Sequence, residues 1–241
     1  MIVYDKIEQN TPEWFEIRRG KITGSVIKNL ISPKELNISK SKTAKSALLK
    51  IVASKYTESG ADDAFTTGYM IRGIEGEGRA RALYQSNILD TVTEVGFIES
   101  DCQSYGMSPD GIVGDEGFIE IKCLNQDKHL SSIFDNAQSI LIDEGFKLQI
   151  LLGFVVNPKF KWCDLILYNE DFREINHKIL VYRIERNDKE VEIVKNNLNI
   201  LSEMVKLLSE MVKPNNTNEN TTSIENKTIS IAKKELEKIL K

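Results

Sequence analysis

The chain has 241 residues, 41% hydrophobic and 28% charged, enough to bury one sizeable core without dividing into independent halves. No apolar run approaches the roughly 18 residues of a membrane span, and Met1 to Asn10 lacks the basic-then-apolar pattern of a secretory signal. A soluble, cytoplasmic protein with no membrane partner is expected. The net charge of -4 argues at first against a nucleic-acid partner. The distribution reverses this. Between Arg18 and Lys55 ten basic residues are opposed only by Glu35, so that stretch carries +9 and the remainder -13.

Cys102, Cys123 and Cys163 are odd in number and widely spaced, which excludes a disulfide framework, paired zinc ligands and a four-thiolate cluster, and predicts buried thiols. With only His129 and His177, histidine-rich metal sites and most Ser/His/Asp arrangements have little to work with. Any metal would be held by carboxylates.

In chain order, Thr11-Pro12-Glu13 reads as a helix start, with an N-cap threonine, proline in the first turn and an acid near the positive dipole end. That helix should run to about Arg19 and break at Gly20. A second begins near Ser25, with Val26, Ile27, Leu30 and Ile31 at helical spacing. Lys42 to Tyr56 puts Ala44, Ala47, Leu48, Ile51 and Val52 on one face and lysines on the other. Gly68 to Tyr84 is a further helix, weakened by Gly73, Gly76 and Gly78, which suit close backbone approach.

From Thr91 the texture becomes β, with Val92, Val95, Phe97 and Ile98 followed by Tyr105 to Met107, Gly111 to Val113 and Phe118 to Cys123, and three short neighbouring strands predict a meander. Asp127 to Leu141 and Gly145 to Val156 read as helices, Trp162 to Tyr168 and Ile179 to Glu185 as strands, and Asp188 to Lys213 as a long helix. Within the last, Leu201-Ser-Glu-Met-Val-Lys206 recurs from Leu208 to Lys213, a repeat better suited to packing on the domain's own core than to a coiled coil. Pro214 to Asn226, rich in Asn and Thr, reads as a linker. Ile229, Ala232, Leu236, Ile239 and Leu240 then form an apolar stripe, marginal as a helix on its own. Its alternatives are docking on the domain, a neighbouring subunit or a partner, or disorder.

The informative region is Ser108-Pro109-Asp110-Gly111, followed after a turn through Gly114 to Gly117 by Ile119-Glu120-Ile121-Lys122. Side chains alternate on a strand, so Glu120 and Lys122 project together while Ile119, Ile121 and Cys123 face the other way. A tight hairpin brings Asp110 beside Glu120. Adjacent carboxylates repel unless a cation sits between them, and an all-oxygen set selects Mg²⁺ or Mn²⁺.

This spacing resembles the signature of the PD-(D/E)xK nuclease superfamily. Asn10 to Ser25, with Trp14, Arg18, Gly20 and Thr23 in the block, resembles the N-terminal signature of the lambda-type phage exonucleases, the YqaJ-like viral recombinase family. Gly73-Ile-Glu-Gly-Glu77-Gly-Arg-Ala-Arg81-Ala-Leu-Tyr84 is similar to that family's acidic site helix, and Ser108-Pro-Asp-Gly, Glu120-Ile-Lys-Cys and Gln149 follow in the family order. The resemblance covers about residues 8 to 205. It implies an α/β fold with a restriction-endonuclease-like core, a central mixed sheet flanked by helices. It also implies an exonuclease domain, placed over residues 1–213; the linker (214–228) and the short amphipathic helix (229–241) read from composition and spacing lie outside it.

By the same resemblance, Asp110 and Glu120 are metal ligands with the Ile121 carbonyl as a third, and Glu77 supports a second metal or its waters. Lys122 positions and helps deprotonate the attacking water, and Gln149 orients that lysine or water. Two Mg²⁺ per site, replaceable by Mn²⁺, would stabilise both the attacking and the departing oxygen. Arg18, Ser25 and Ser108 occupy the positions of the family's 5′-phosphate pocket. Arg18 offers a bidentate fork, and Ser25 stands at a helix start. Arg19, Lys21, Lys42 and Lys45 fall in the basic stretch expected to contact DNA phosphates. The implied activity is 5′-to-3′ degradation of one strand of duplex DNA from its ends, leaving 3′ overhangs for recombination. The implied assembly is a homotrimer, with a single-strand annealing protein as partner. Two departures stand out: Lys147 where many members have Gln, and Leu124 after Cys123 where Pro is frequent. A restriction-type endonuclease and a non-catalytic DNA-binding scaffold are the alternatives.

Overall fold

The computed structural model describes residues 1–57, 68–87, 90–213 and 227–240, with the backbone alone for 68–74. Strand β1 (Ile2–Tyr4) precedes three helices, α1 (Pro12–Arg18), α2 (Gly24–Leu30) and α3 (Lys42–Ser54), and then α4 (Gly68–Gln85). Thr11 caps α1 by accepting from the Trp14 amide at 3.3 Å, and Ser41 caps α3 by accepting from that of Ala44 at 3.1 Å. Gly20 ends the first helical segment with φ 71°.

Five short strands follow: β2 (Val92–Thr93), β3 (Phe97–Glu99), β4 (Gly106–Met107), β5 (Gly111–Val113) and β6 (Gly117–Cys123). They do not form one meander. Strands β1, β3 and β4 make a separate three-stranded antiparallel sheet, while β2, β5 and β6 enter a five-stranded mixed sheet in the order β2-β5-β6-β7-β8, with β7 (Trp162–Tyr168) and β8 (Ile179–Glu185). The segment Ser108 to Asp110 carries the chain from one sheet to the other. Strand β6 pairs antiparallel with β5 and parallel with β7. Its first five residues are buried, as a central strand covered on both faces requires.

The parallel β6–β7 connection runs through α5 (Gln126–Phe134), α6 (Gln138–Asp143) and α7 (Phe146–Val156). The single helix expected from Asp127 to Leu141 is broken between α5 and α6, where Asn136 and Ala137 adopt left-handed φ of 52° and 60°. Nine of the eleven residues of α7 are buried, so this helix is apolar all round and lies at the centre of the molecule. A short helix α8 (Ile175–Lys178), which no sequence signal announced, leads into β8.

The long helix α9 (Asp188–Val212) buries Val191, Val194, Leu198, Leu201, Met204, Val205 and Leu208 along one face. The first copy of the seven-residue repeat packs on the domain's own core as expected, together with Leu208, while Met211 and Val212 of the second copy are exposed. Helix α10 (Lys227–Leu240) buries Ala232, Leu236 and Ile239 in that same core, and the Lys45 ammonium donates to the Leu240 carbonyl at 2.6 Å. Of the alternatives for this stripe, docking on the chain's own domain is the one seen. The linker Pro214 to Asn226 lies outside the described residues.

Two cores thus sandwich the larger sheet. The major one joins β6 and β7 to α2, α3, α7, α9 and α10, and the minor one packs Ala80 and Tyr84 of α4 on Val113, Ile119, Ile121 and Ile166. Gly76 permits this second contact, because a Cβ there would stand 2.5 Å from the Cys123 sulfur. The cysteine expectation is corrected: Cys163 is buried, but Cys102 and Cys123 are exposed, since the ends of β6 and of the 100–105 loop reach the rim. None of the three forms a disulfide. Among the described residues no helix is long and apolar enough to cross a membrane.

Candidate active site

The β5–β6 hairpin builds the centre of the site. Its register places Gly111 opposite Ile119, and Gly114 in the turn takes a φ of 56°. One residue before β5, the Asp110 amide donates to the Ile119 carbonyl at 3.2 Å, and the Ile121 amide donates to Asp110 Oδ2 at 2.6 Å. The Asp110 carboxylate is thereby held against the Glu120–Ile121 peptide. Lys122 Nζ donates to Glu120 Oε1 at 2.5 Å and stands 5.2 Å from the Phe146 ring centroid. The hairpin delivers Asp110, Glu120 and Lys122 together, with the Ile121 side chain buried in the minor core.

The hairpin groups are largely shielded from solvent. The Glu120 side chain is only 8% exposed and that of Lys122 22%, because β6 is central and α7 lies across it. Burial pushes the Asp110 carboxyl well above its ordinary range, and the charges of Glu120 and Glu77 push it further against the opposing pull of Lys122 and the Ile121 amide. Glu77, on α4, is raised for the same reasons: burial first, then Glu120, opposed by Lys122 and Arg81. Burial alone would lower Lys122. The attraction of Glu120, Asp110 and Glu77 overrides it and holds the ammonium above its usual range.

Beside the hairpin lies a cleft of about 350 Å³ lined by Gln9, Glu77, Arg81, Glu94 and Asp110. Among the described residues no three His, Cys, Asp or Glu side chains are gathered into a ready metal cage. The oxygen donors at hand are the Asp110 and Glu120 carboxylates, with that of Glu77 lining the same cleft as Asp110. Such an all-oxygen set fits a hard divalent cation, which would relieve the like-charge repulsion that adds to burial in raising Asp110 and Glu77.

A second cluster stands where the N-terminal block meets the smaller sheet. Between α1 and α2, Ile22 forms a parallel bridge with Tyr105, so the helical block is stitched next to β4 and Ser108. The Arg18 guanidinium donates to Ser108 Oγ and Ser25 Oγ, both at 3.3 Å, and approaches Thr23 Oγ1 at 3.5 Å. It stacks on Trp14, with Cζ 3.8 Å from the ring centroid, and Trp14 Nε1 in turn donates to Ser108 Oγ at 2.9 Å. The structure therefore brings Arg18, Ser25 and Ser108 together and adds Trp14 and Thr23, which stood in the quoted block without a role.

Gln149 lies one turn along α7 from Phe146. Its amide nitrogen would stand 3.3 Å from a Cβ on Gly24, so it meets the start of α2 beside Ser25. Helix α7 thus touches both clusters, through Phe146 under Lys122 and through Gln149 at Gly24. Lys147, the departure from the family pattern, pairs with Glu190 at 2.6 Å. Of the four basic residues assigned to DNA contact, Lys42 is exposed. Arg19 binds Glu16 and the Ser54 carbonyl at 2.8 Å, Lys21 pairs with Glu99 at 3.2 Å, and Lys45 holds α10.

The protein-family comparison matches the model of the YqaJ-like viral recombinase domain over residues 13–156, a span that contains both clusters. Among solved structures, the chain is similar to the alkaline exonuclease LHK-Exo of Laribacter hongkongensis, at 26% identity and a TM-score of 0.70 over 83% of this chain and 95% of that one. LHK-Exo in complex with dAMP gives 29% identity and a TM-score of 0.67 over 83% and 97%. A phage-related exonuclease from Haemophilus somnus 129PT, at 18% identity, shares the fold with a TM-score of 0.60 over 79% and 96%. A search of curated proteins finds no match. With a family model covering more than half its length, the chain belongs to the YqaJ-like viral recombinase family.

Proposed function

We propose that this protein is a metal-dependent exonuclease that shortens the 5′ strand of linear duplex DNA and leaves 3′ overhangs for recombination. The observation that carries the reading is the pairing of Asp110, Glu120 and Lys122 on one hairpin with an arginine–serine cluster on the adjoining sheet edge. Neighbours whose structures are described as alkaline exonucleases support it.

In this reading Asp110, Glu120 and the Ile121 carbonyl hold one divalent cation, Mg²⁺ or Mn²⁺, and Glu77 supports a second. Such ions supply Lewis-acid stabilisation of the attacking and departing oxygens of a phosphodiester. The chain's own groups do the rest. Lys122, fixed by Glu120 and lying over Phe146, orients the attacking water and offers positive charge to the phosphoryl oxygens. Lys122 also helps deprotonate that water. Gln149 braces the start of α2 and so the Ser25 side of the site. Residues 1–213 form the nuclease domain, and the exposed Lys42 is a phosphate contact along the basic stretch. Its setting is the cytoplasm, the host's if the chain is phage-encoded.

The test compares linear with covalently closed circular duplex in Mg²⁺, with and without chelator. Loss of linear DNA alone, abolished by chelation, is expected. Cleavage of the circle would instead indicate an endonuclease, and binding without cleavage a scaffold. By family likeness the assembly is a homotrimer that works with a single-strand annealing protein. Light scattering is expected to return the mass of three chains, and a monomer at working concentration would overturn this.

A further inference from the structure

Arg81 stands on α4 one turn beyond Glu77 and reaches out of its helix to the start of the hairpin. Its Nε donates to the main-chain carbonyl of Asp110 at 2.7 Å, and its Nη1 pairs with Glu94 Oε2 at 2.7 Å. Gln9 Nε2, in the same cleft as Arg81, donates to the Pro109 carbonyl at 3.0 Å and to the Val95 carbonyl at 3.0 Å. The Asp110 amide is itself engaged with the Ile119 carbonyl. Both peptide planes that flank the Asp110 Cα are therefore pinned by side chains or strands distant in sequence. That fixes the direction of the Asp110 Cβ. The Glu94 carboxylate is 68% exposed, so its ion pair lies on the rim and adds little by itself. The bond to the carbonyl is the one that bears on the site.

We propose that Arg81 is a positioning residue that ties α4, and with it Glu77, to the backbone of Asp110, and so sets the span between these two acids to suit a divalent cation. The inference rests on the metal reading given above and adds to it a residue whose observed bond is to the backbone of Asp110. The i, i+4 placement of Glu77 and Arg81 puts acid and strut on the same face of α4. Without the strut α4 would still be anchored by Ala80 and Tyr84 in the minor core, so the fold survives while the two acids lose their common reference. Partners that orient metal-binding groups in this way change metal affinity by about 10–100-fold when removed.

The experiment titrates Mn²⁺ into the metal-free full-length protein by calorimetry and records thermal melting alongside. Arg81→Lys keeps the positive charge beside Glu77 but replaces the planar fork by a point charge that cannot serve both Asp110 and Glu94. Mn²⁺ binding weakened about tenfold, with the melting temperature of the metal-free protein nearly unchanged, is expected. Binding equal to wild type would overturn the proposal and show that only the charge matters. If Arg81→Lys unfolds, Arg81→Met, which keeps the packed stem and no donor, is titrated with the same two outcomes. Wild-type protein that takes up no Mn²⁺ would instead undo the metal reading itself.

Discussion

Asp110→Asn and Glu120→Gln are each expected to slow hydrolysis of linear duplex by about a thousandfold or more, equivalent to ~4 kcal/mol of barrier, while the protein remains folded. The two side chains supply the negative charge that would hold a cation at the hairpin, and both amides preserve shape and hydrogen bonding. Asn at position 110 can still accept from the Ile121 amide. The melting temperature of the metal-free protein should move the other way. The Asp110 carboxyl is raised in the folded state by burial and by Glu120, so its contribution to stability is fully present below about pH 4, where the unfolded chain is also protonated, and is lost as pH rises through the folded value. At pH 7 wild type carries that penalty and Asp110→Asn does not. The variant should therefore melt no earlier than wild type at pH 7, with the difference shrinking toward pH 4. A near-normal rate for Glu120→Gln would remove the assigned site. A lower melting point for Asp110→Asn at pH 7 would show the carboxylate to be paired, not repelled.

Degradation of duplex bearing a 5′-phosphate should exceed that of the same duplex with a 5′-hydroxyl by about 10–100-fold, and Arg18→Ala should erase most of that preference. A terminal phosphate carries about −1.5 to −2 charge, more than a bridging diester, and a charge-assisted hydrogen bond contributes about 1.5–3 kcal/mol. Arg18 is positioned for this task. Its guanidinium lies on Trp14 and already bonds the hydroxyls of Ser25 and Ser108, two acceptors that a phosphate could replace. Ser108 is two residues from Asp110, so a phosphate held there would place the adjoining nucleotide toward the hairpin. Arg18→Lys separates charge from geometry, since an ammonium cannot bond both serines in the same fork. It should recover only part of the preference. Equal rates on the two substrates would refute the pocket without touching the metal site.

The hairpin chemistry was legible because it is local. Pro109-Asp110, a glycine-bounded turn and the alternation of Glu120 with Lys122 determine which side chains share a face as soon as β5 and β6 pair, and the period-2 rule leaves one arrangement. The same holds for α1, α3 and α9, whose caps and apolar stripes are written within a few residues of one another. What depends on distant contacts was not legible. The strands between Val92 and Val113 divide between two sheets, because β3 finds β1 and β4 while β2 finds β5, and no spacing within that stretch chooses those partners. The break at Ala137 follows from the need to turn α6 and α7 back over the sheet, against a local pattern that favours one helix. Gln149 sits where the packing of α7 on Gly24 puts it. Residue types and short-range spacing determined that Glu120 and Lys122 share a face of the hairpin beside Asp110, whereas Arg18 and Ser108, 90 residues apart, meet only in the fold. Tertiary structure alone decided how far apart they stand, how deeply Glu120 is buried and that Arg81 and Gln9 grip the strand entry. Distance and burial arise from contacts across a hundred residues, whereas side-chain direction on a strand or helix is set by the backbone period itself.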